Sequence, residues 1–249
     1  MKNRFLLVVV GLLCFLLFTL VKLPASIVYQ LAGQDIQGFE MRNIEGSVWS
    51  GQAGSLRLLG QEFQQAHWTL NPAALLLGNM SLNIEVKDRE YPVKGKVIMG
   101  FNGDMEAQDL KGTLPASLLN QIPVLAFIQV SGNMIVDLDS LLYTDKELQD
   151  AQGKLMLEQG FLQQPVQTEL GNIRMNLETR PEGIKVKIKD QQAPIGIDGD
   201  LLLNPGHKFS FKALFKPTVK ADNFIISMLK NAGKLHPDGS MTVQYEGAY

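Results

Sequence analysis

Hydrophobic and polar residues alternate with a period of two along much of the chain after residue 39. Apolar residues occupy every second position in segments 93–101, 173–177 and 184–188, and mostly polar residues stand between them. Successive side chains of a β-strand point to opposite faces, so each segment predicts a strand that buries one face.

Two further segments, 195–203 and 209–215, continue this alternation on either side of Asn204-Pro205-Gly206. Proline fixes φ and glycine permits positive φ, so this tripeptide predicts a hairpin turn. Comparable turn residues divide the chain at 102–104, 180–183 and 237–239.

Three short helices are predicted between the strands. Residues 71–78 offer an asparagine N-cap, a proline at the first helical position and a closing glycine. Residues 113–121 and 222–232 have comparable start and stop residues and an apolar face. Since no low-complexity stretch divides residues 39–249, we predict one mainly β domain, a curved, mostly antiparallel sheet with a few short helices.

An uncharged hydrophobic run, residues 5–21, precedes the β-rich region, with Lys2 and Arg4 before it and Lys22 after it. It has the length of a short membrane span, whereas a cleavable signal peptide has a shorter apolar region and a small-x-small site. We favour a retained single-pass transmembrane anchor over cleavage. The basic residues that precede it place the N-terminus in the cytoplasm. The predicted parts are a cytoplasmic N-terminus 1–4, an anchor 5–21, a connecting segment 22–38 and an exported domain 39–249.

The single cysteine, Cys14, lies inside the hydrophobic run. The exported domain therefore has no cysteine for a disulfide or a thiolate nucleophile. We interpret Cys14 as a small apolar membrane residue, in preference to a lipidation site.

Composition and charge narrow the classes of partner. Of the 249 residues 45% are hydrophobic, enough for a sizeable core. The formal net charge is −2, the pI is near 6.0 and the basic residues are scattered along the chain. A nucleic-acid partner is therefore disfavoured.

The sequence carries no recognisable catalytic motif. His67, His207 and His236 stand apart, without the spacing of metal ligands. Phosphate-binding loops, nucleotide-binding glycine motifs and the nucleophile elbow are absent from the sequence. We therefore predict that the protein is not an enzyme and uses no cofactor and no metal.

Two pairs of aspartates, Asp137 with Asp139 and Asp198 with Asp200, lie two residues apart. Both members of such a pair face the same side of a strand, where they can hold a hard cation. The favoured alternative is a solvated strand face, because neither pair has the further oxygen ligands that calcium requires.

The apolar strand positions permit two interpretations. Side chains that alternate along strands ordinarily pack into a core. An open, bent sheet can instead leave them lining a groove for acyl chains. The Met and Phe residues concerned lie at positions 99, 101, 134, 156, 175, 209, 211 and 215.

Two tryptophan segments are the most distinctive part of the chain. They are Gly46-Ser-Val-Trp49-Ser-Gly51-Gln-Ala53 and Trp68-Thr-Leu-Asn-Pro72-Ala-Ala-Leu-Leu-Leu-Gly78. Tryptophan supplies a large apolar surface and one N–H donor, and glycine allows close backbone approach. We predict a packed strand-and-turn corner whose structural positions are Gly46, Trp49, Gly51, Trp68, Pro72 and Gly78.

With the anchor and the closing patterns Gly199-Asp-Leu-Leu-Leu and Asp238-Gly239-Ser-Met-Thr-Val-Gln-Tyr, these segments resemble the general secretion pathway protein N family of bacterial type II secretion systems. The resemblance implies a single-pass cell inner-membrane protein with a periplasmic domain. It further implies a role in protein transport, the export of folded proteins from the periplasm across the outer membrane, with other secretion subunits as partners. It brings no catalytic residues.

A weaker similarity to AsmA-like envelope proteins, whose sheets curl into an apolar groove, implies lipid binding or lipid transfer. Two hypotheses therefore stand. A secretion subunit makes protein contacts through strand edges or the convex face of the sheet, whereas a lipid-binding module holds acyl chains on the concave face. We favour the secretion subunit, and the shape of the sheet, open or closed, separates the two.

Overall fold

The computed structural model describes residues 11–248 except 13, 14, 16, 17, 34, 35, 122–128, 165, 166, 192 and 220. Within these residues the fold is mainly β, as predicted, and consists of one open antiparallel sheet with few helices. Neighbouring strands follow each other in the chain, except that the last two exchange places at one edge.

The strands are β1 Phe39–Gly46, β2 Ser50–Leu58, β3 Gln61–Asn71, β4 Asn79–Val86, β5 Val93–Gly100, β6 Met105–Pro115, β7 Gln129–Thr144, β8 Glu147–Gln164, β9 Thr168–Arg180, β10 Gly183–Gln191, β11 Ile195–Asn204, β12 Lys208–Pro217, β13 Lys234–Leu235 and β14 Met241–Ala248. The helices are α1 Ala25–Val28, its π-helical continuation Tyr29–Gly33, α2 Pro72–Leu75, a 3₁₀ helix Ala116–Gln121 and α3 Asn223–Ala232.

The connections between strands gather at two ends of the sheet, because every pair is antiparallel. We call the end that carries the β1–β2 turn the proximal end. It also carries the connections after β3, β5, β7, β9 and β11. The opposite, distal end carries the connections after β2, β4, β6, β8, β10 and β12.

The two faces of the sheet differ in polarity. On one face, here called the apolar face, Val136 pairs with Leu155, which pairs in turn with Met175. On the other, the charged face, Asp137 pairs with Lys154. This division follows from the two-residue alternation of the sequence, because register keeps like residues on one side.

The apolar face buries its densest cluster on β7 and β8, around Met134, Val136, Leu138 and Leu157. A second cluster surrounds Phe63, and Leu118 of the 3₁₀ helix packs against it. A hydrogen bond of 3.0 Å from Gln61 Nε2 to Ser117 Oγ joins the 3₁₀ helix to the start of β3. The 3₁₀ helix thus covers part of the apolar face near the distal end.

Several local predictions are confirmed. A hairpin joins β11 and β12 across Asn204-Pro205-Gly206. Helix α3 begins after its N-cap Asp222 and ends before Gly233. The helix predicted over 71–78 is shorter, because α2 gives way after Leu75 to turns that end at Gly78.

The helix predicted over 113–121 is wrong in its first three residues. Thr113 and Leu114 pair with Ile135 and Met134, so β6 continues to Pro115. The ladder with β7 satisfies these backbone groups, and a 3₁₀ helix follows only from Ala116.

Most of the predicted anchor, 5–21, lies outside the described residues, and its residues 18–21 are helical. Among the residues that the structure describes, no helix has both the length and the apolar character needed to cross a membrane. The connecting segment then flanks edge strand β1, where the Met41 N–H donates to Tyr29 Oη at 3.0 Å. The Tyr29 ring also meets Phe39 edge-on, with centroids 6.3 Å apart. Such cover blocks part of an exposed strand edge.

Candidate functional site at the tryptophan corner

The β1–β2 turn at the proximal end depends on Gly46. Its φ is +89°, and a Cβ there would lie 2.7 Å from the carbonyl oxygen of Ser50. The Ser47 N–H donates to that same carbonyl at 2.9 Å and closes the turn. Only glycine combines this backbone conformation with such a close approach.

Trp68 lies across Gly51, its cross-strand partner on β2. A Cβ at Gly51 would come within 2.4 Å of the indole ring. The indole Nε1 donates to the carbonyl oxygen of Val48 at 3.2 Å, so the ring also holds the β1–β2 turn. Gly46, Trp49, Gly51 and Trp68 together form what we call the tryptophan corner.

Trp49 connects this corner to the N-terminal segment. Its indole Nε1 donates to the carbonyl oxygen of Leu20 at 2.8 Å. Next to it, the Val48 N–H donates to the carbonyl oxygen of Leu23 at 3.0 Å, and Pro24 forms a β-bridge with Ser47. The end of the hydrophobic run is therefore hydrogen-bonded to the sheet.

The α2 connection lies beside the corner, between β3 and β4. Asn71 Oδ1 accepts a hydrogen bond from the Ala73 N–H at 3.0 Å, and Pro72 takes the first helical position. Gly78 ends the connection with φ of +79°. Its carbonyl oxygen accepts from the Phe101 N–H at 3.1 Å, which ties α2 to the β5–β6 turn.

The structure thus brings Gly46, Gly51 and Trp68 together across neighbouring strands and places Trp49 in the β1–β2 turn. Pro72 and Gly78 lie in the adjoining connection. Sequence reasoning missed the partners of the two indoles, which are the backbone carbonyls of Leu20 and Val48. A backbone carbonyl carries no side-chain signal, so only the fold could reveal it.

An apolar cavity of about 130 Å³ lies on the apolar face beneath α3. Ile225 and Leu229 of α3 form one wall, and residues of β8, β9, β11 and β12 form the others. The sheet residues are Leu162, Thr168, Glu169, Leu170, Ile173, Ile195, Ile197 and Phe215. This cavity leaves room on the apolar face for a small apolar group.

Three of the four paired aspartates, Asp137, Asp198 and Asp200, lie beside lysines on the charged face. Lys187 Nζ lies 2.9 Å from Asp198 and 3.5 Å from Asp200. Its hydrogen bond lowers the pKa of Asp198, and the same bond raises the pKa of Lys187. Lys111 approaches Asp137 in the same way, at 3.1 Å. These contacts fit the solvated-face interpretation of the aspartates.

Each of the three histidines lies beside a different residue. His207 Nε2 lies 3.5 Å from Glu147, and His236 Nε2 lies 2.8 Å from Thr242 Oγ1. His67 pairs with Glu85 on the strand position next to Trp68 and therefore points to the opposite face. In the described part of the chain, no three His, Cys, Asp or Glu side chains are arranged to hold a metal ion.

Comparison with known proteins gives the chain its family. The family model of type II secretion system (T2SS) protein N matches residues 37–244. The type II secretion system protein N of Aeromonas hydrophila is 24% identical over 251 residues, an alignment covering 99% of each chain. That of Vibrio cholerae serotype O1 is 26% identical over 186 residues, or 73% of each chain. No solved structure matches the chain.

The family match begins just before β1 and ends within β14, so it takes in the tryptophan corner and all of the sheet except the end of β14. Both relatives carry the same description. The resemblance read from the tryptophan segments is therefore confirmed, and the chain belongs to the family of type II secretion system protein N.

Proposed function

We propose that the protein is a non-enzymatic, single-pass inner-membrane subunit of a type II secretion system. Residues 1–4 are cytoplasmic, 5–21 form the anchor, 22–38 connect, and 39–249 form the periplasmic domain. The domain supports export of folded proteins from the periplasm across the outer membrane, together with other subunits of the system.

One observation carries this proposal beyond family membership. The end of the hydrophobic run is tied to the domain through a hydrogen bond of 2.8 Å from Trp49 Nε1 to Leu20 O. A joint of this kind suits a domain that works at a fixed position on a membrane. The lysine-neutralised aspartates and the dispersed histidines support a non-catalytic role.

Deletion of the gene tests the secretion role. We expect secreted substrates to accumulate in the periplasm and their release to fall, with recovery when the wild-type gene is supplied in trans. Unchanged release under conditions in which the secretion system is active would overturn the proposal.

A lipid-binding role is the second candidate, and the cavity beneath α3 favours it. The sheet is open, and the cavity walls are mostly apolar, as an acyl chain requires. We expect gently extracted full-length protein to carry lipid detectable by mass spectrometry.

A matched pair of α3 variants sharpens the lipid test. Ile225→Asn places an amide in the cavity wall and is expected to lower the lipid recovered, whereas Met228→Asn alters an exposed position of the same helix. Equal lipid content in both variants, or none in the wild-type protein, would refute this role.

A further inference from the structure

An exposed apolar group projects from the proximal end of the sheet. Leu76 is 89% exposed, Leu77 is 80% exposed and Phe101 is 74% exposed. The two leucines follow α2 and precede Gly78, and Phe101 lies in the β5–β6 turn. The hydrogen bond from the Phe101 N–H to Gly78 O holds the two connections together, so the three side chains, here called the apolar tips, form one group.

The apolar tips stand next to the joint between the hydrophobic run and the sheet. The Leu70 N–H donates to the carbonyl oxygen of Trp49 at 2.8 Å, and α2 begins two residues after Leu70. Strands lie about 4.8 Å apart, so β6 is within roughly 20 Å of β2. The run and the apolar tips therefore emerge from the same end of the sheet, within the width of a few strands.

Few charged residues occur in the connections of the proximal end that lie beside the run. No charged residue occurs between Trp68 and Ile84 or between Gly46 and Ala53. Two connections farther from the run carry charged residues, as in Asp145-Lys146-Glu147 and Arg180-Pro181-Glu182, whereas Pro205-Gly206-His207 has no Asp, Glu, Lys or Arg. At the distal end, the β4–β5 connection begins Lys87-Asp88-Arg89-Glu90. The β1–β2 turn and the α2 connection, which lie beside the run, are thus uncharged, and the β5–β6 turn carries one charged residue, Asp104.

The row of the apolar face nearest these connections extends the group. Met80, Met99, Met105 and Tyr143 are successive cross-strand partners on β4 to β7. Met105 and Tyr143 are exposed. Flexible thioethers and an amphipathic tyrosine ring suit the boundary between headgroups and acyl chains.

We propose that Leu76, Leu77 and Phe101 insert into the surface of the same lipid bilayer that holds the hydrophobic run. Apolar side chains beside an anchor gain by entering the headgroup and acyl boundary, since exposure to water costs free energy at each of them. Contact at the run and at the apolar tips fixes the tilt of the sheet on the membrane. This inference rests on the proposed anchor, and the experiment separates the two.

Site-specific fluorescence on the full-length chain in liposomes of phosphatidylethanolamine and phosphatidylglycerol tests the inference. An environment-sensitive fluorophore is attached to Cys14 in the unaltered chain and, after Cys14→Ala, to Leu76→Cys or Val219→Cys. Val219 is the matched control, because it is apolar and fully exposed but follows β12 at the distal end. Lipids that carry a nitroxide near the top of the acyl chain serve as quenchers.

We expect blue-shifted, quenched emission from the label at Leu76→Cys and an aqueous, unquenched spectrum at Val219→Cys. Quenching at Cys14 without quenching at Leu76→Cys would overturn the inference and leave the anchor standing. Absence of quenching at Cys14 would overturn the anchor itself and, with it, this inference. A blue shift at Leu76→Cys without quenching would mean that protein covers the apolar tips, which also refutes a lipid contact.

A secretion assay complements the fluorescence. Leu76→Glu combined with Leu77→Glu is expected to reduce release of secreted substrates, while the amount of protein in the membrane fraction stays constant. Val219→Glu, the matched exposed control, is expected to leave release unchanged. Equal release from both variants would show that the apolar tips have no part in positioning the sheet.

Discussion

At the residue scale, each of the two tryptophans links separate segments of the chain by a hydrogen bond. Each indole N–H donates to a backbone carbonyl, Trp68 to Val48 and Trp49 to Leu20. An aromatic ring with one polar edge suits this task, because it packs and donates at the same time. The result is a chain of contacts from β3 through the β1–β2 turn to the hydrophobic run.

Trp49→Ala removes both the ring and the donor, whereas Trp49→Phe removes only the donor. A neutral hydrogen bond contributes about 0.5–1.5 kcal/mol, so we expect Trp49→Phe to loosen the joint mildly and Trp49→Ala to loosen it more. Limited proteolysis within 22–38 measures the effect. Stable, protease-resistant Trp49→Ala protein with defective secretion would instead identify Trp49 as a contact residue for another subunit.

Gly51→Ala is expected to destabilise the tryptophan corner. Its Cβ would press against the Trp68 ring and lie 2.6 Å from the carbonyl oxygen of Glu45, so the backbone itself must move. Overpacking of this kind costs about 1–3 kcal/mol. Denaturant unfolding checks the prediction, with Ser50→Ala as the exposed neighbouring control. Equal midpoints for the two variants would contradict it.

At the scale of elements, side-chain hydrogen bonds stabilise segments that lie outside the strand pairing of the sheet. Helix α3 lies outside the ladder, and its contact with the apolar face rests on residues such as Ile225 and Leu229. Asp222 Oδ1 accepts from the Phe224 N–H at 2.7 Å at the N-cap. Helix ends need such partners because their first N–H groups have none within the helix.

Asp222→Ala is expected to fray the first turn of α3. Loss of an N-cap costs about 0.5–2 kcal/mol, and Asp222→Asn, which retains the acceptor, serves as the control. Hydrogen exchange of 223–232 measures the change. Faster exchange confined to the alanine variant fits the prediction, and equal protection in both variants contradicts it.

The β4–β5 connection is tied to β3 by the carboxylate of Asp88. Three backbone N–H groups donate to it, those of Gln64 at 2.8 Å, Glu90 at 2.8 Å and Tyr91 at 3.1 Å. Burial raises the pKa of Asp88, but these hydrogen bonds outweigh burial and hold its pKa below the ordinary value.

Asp88 therefore contributes stability at neutral pH that is lost in acid. Because its folded pKa is below the unfolded one, the unfolded chain binds the proton first, at about pH 4, and stability falls as pH drops through the folded pKa. We expect Tm to decline below about pH 4. The decline should be shallower in Asp88→Asn. An equal decline of Tm with falling pH in the wild-type protein and in Asp88→Asn would contradict this role of Asp88.

At the scale of the whole molecule, the sheet has different sides and different ends. One face is apolar and the other charged, while the proximal end receives the hydrophobic run and the distal end carries the 3₁₀ helix and the approach to α3. Two-residue β13 pairs with Met241 and Thr242 of β14 at one edge, and the connecting segment flanks the other edge. Each edge is thus partly covered, which limits pairing with other chains.

The proposed anchor is testable on the mature protein. We expect N-terminal sequencing to begin at Met1 or the residue after it, and the protein to stay with the membrane after alkaline extraction. A mature N-terminus near Ala25 or Ser26 would show that residues 5–21 are a cleaved signal.

Much of the fold follows from local pattern. Alternation identified β5, β9 and β10, and Asn204-Pro205-Gly206 identified the hairpin, because period and turn chemistry are properties of neighbouring residues. The helix predicted from Thr113 was wrong because the backbone of Thr113 and Leu114 pairs with β7. A local sequence pattern contains no information about that pairing.

For the tryptophan corner, the sequence by itself determined which residues are suited to tight packing, namely two indoles with nearby glycines. It also determined the family and the polarity of each strand face. The tertiary structure decided that Trp68 rests on Gly51, that Trp49 holds Leu20 and that Leu76 and Phe101 share one end of the sheet. These contacts join residues that are distant in the chain. Strand order and register bring them together, and no single segment of the sequence encodes either.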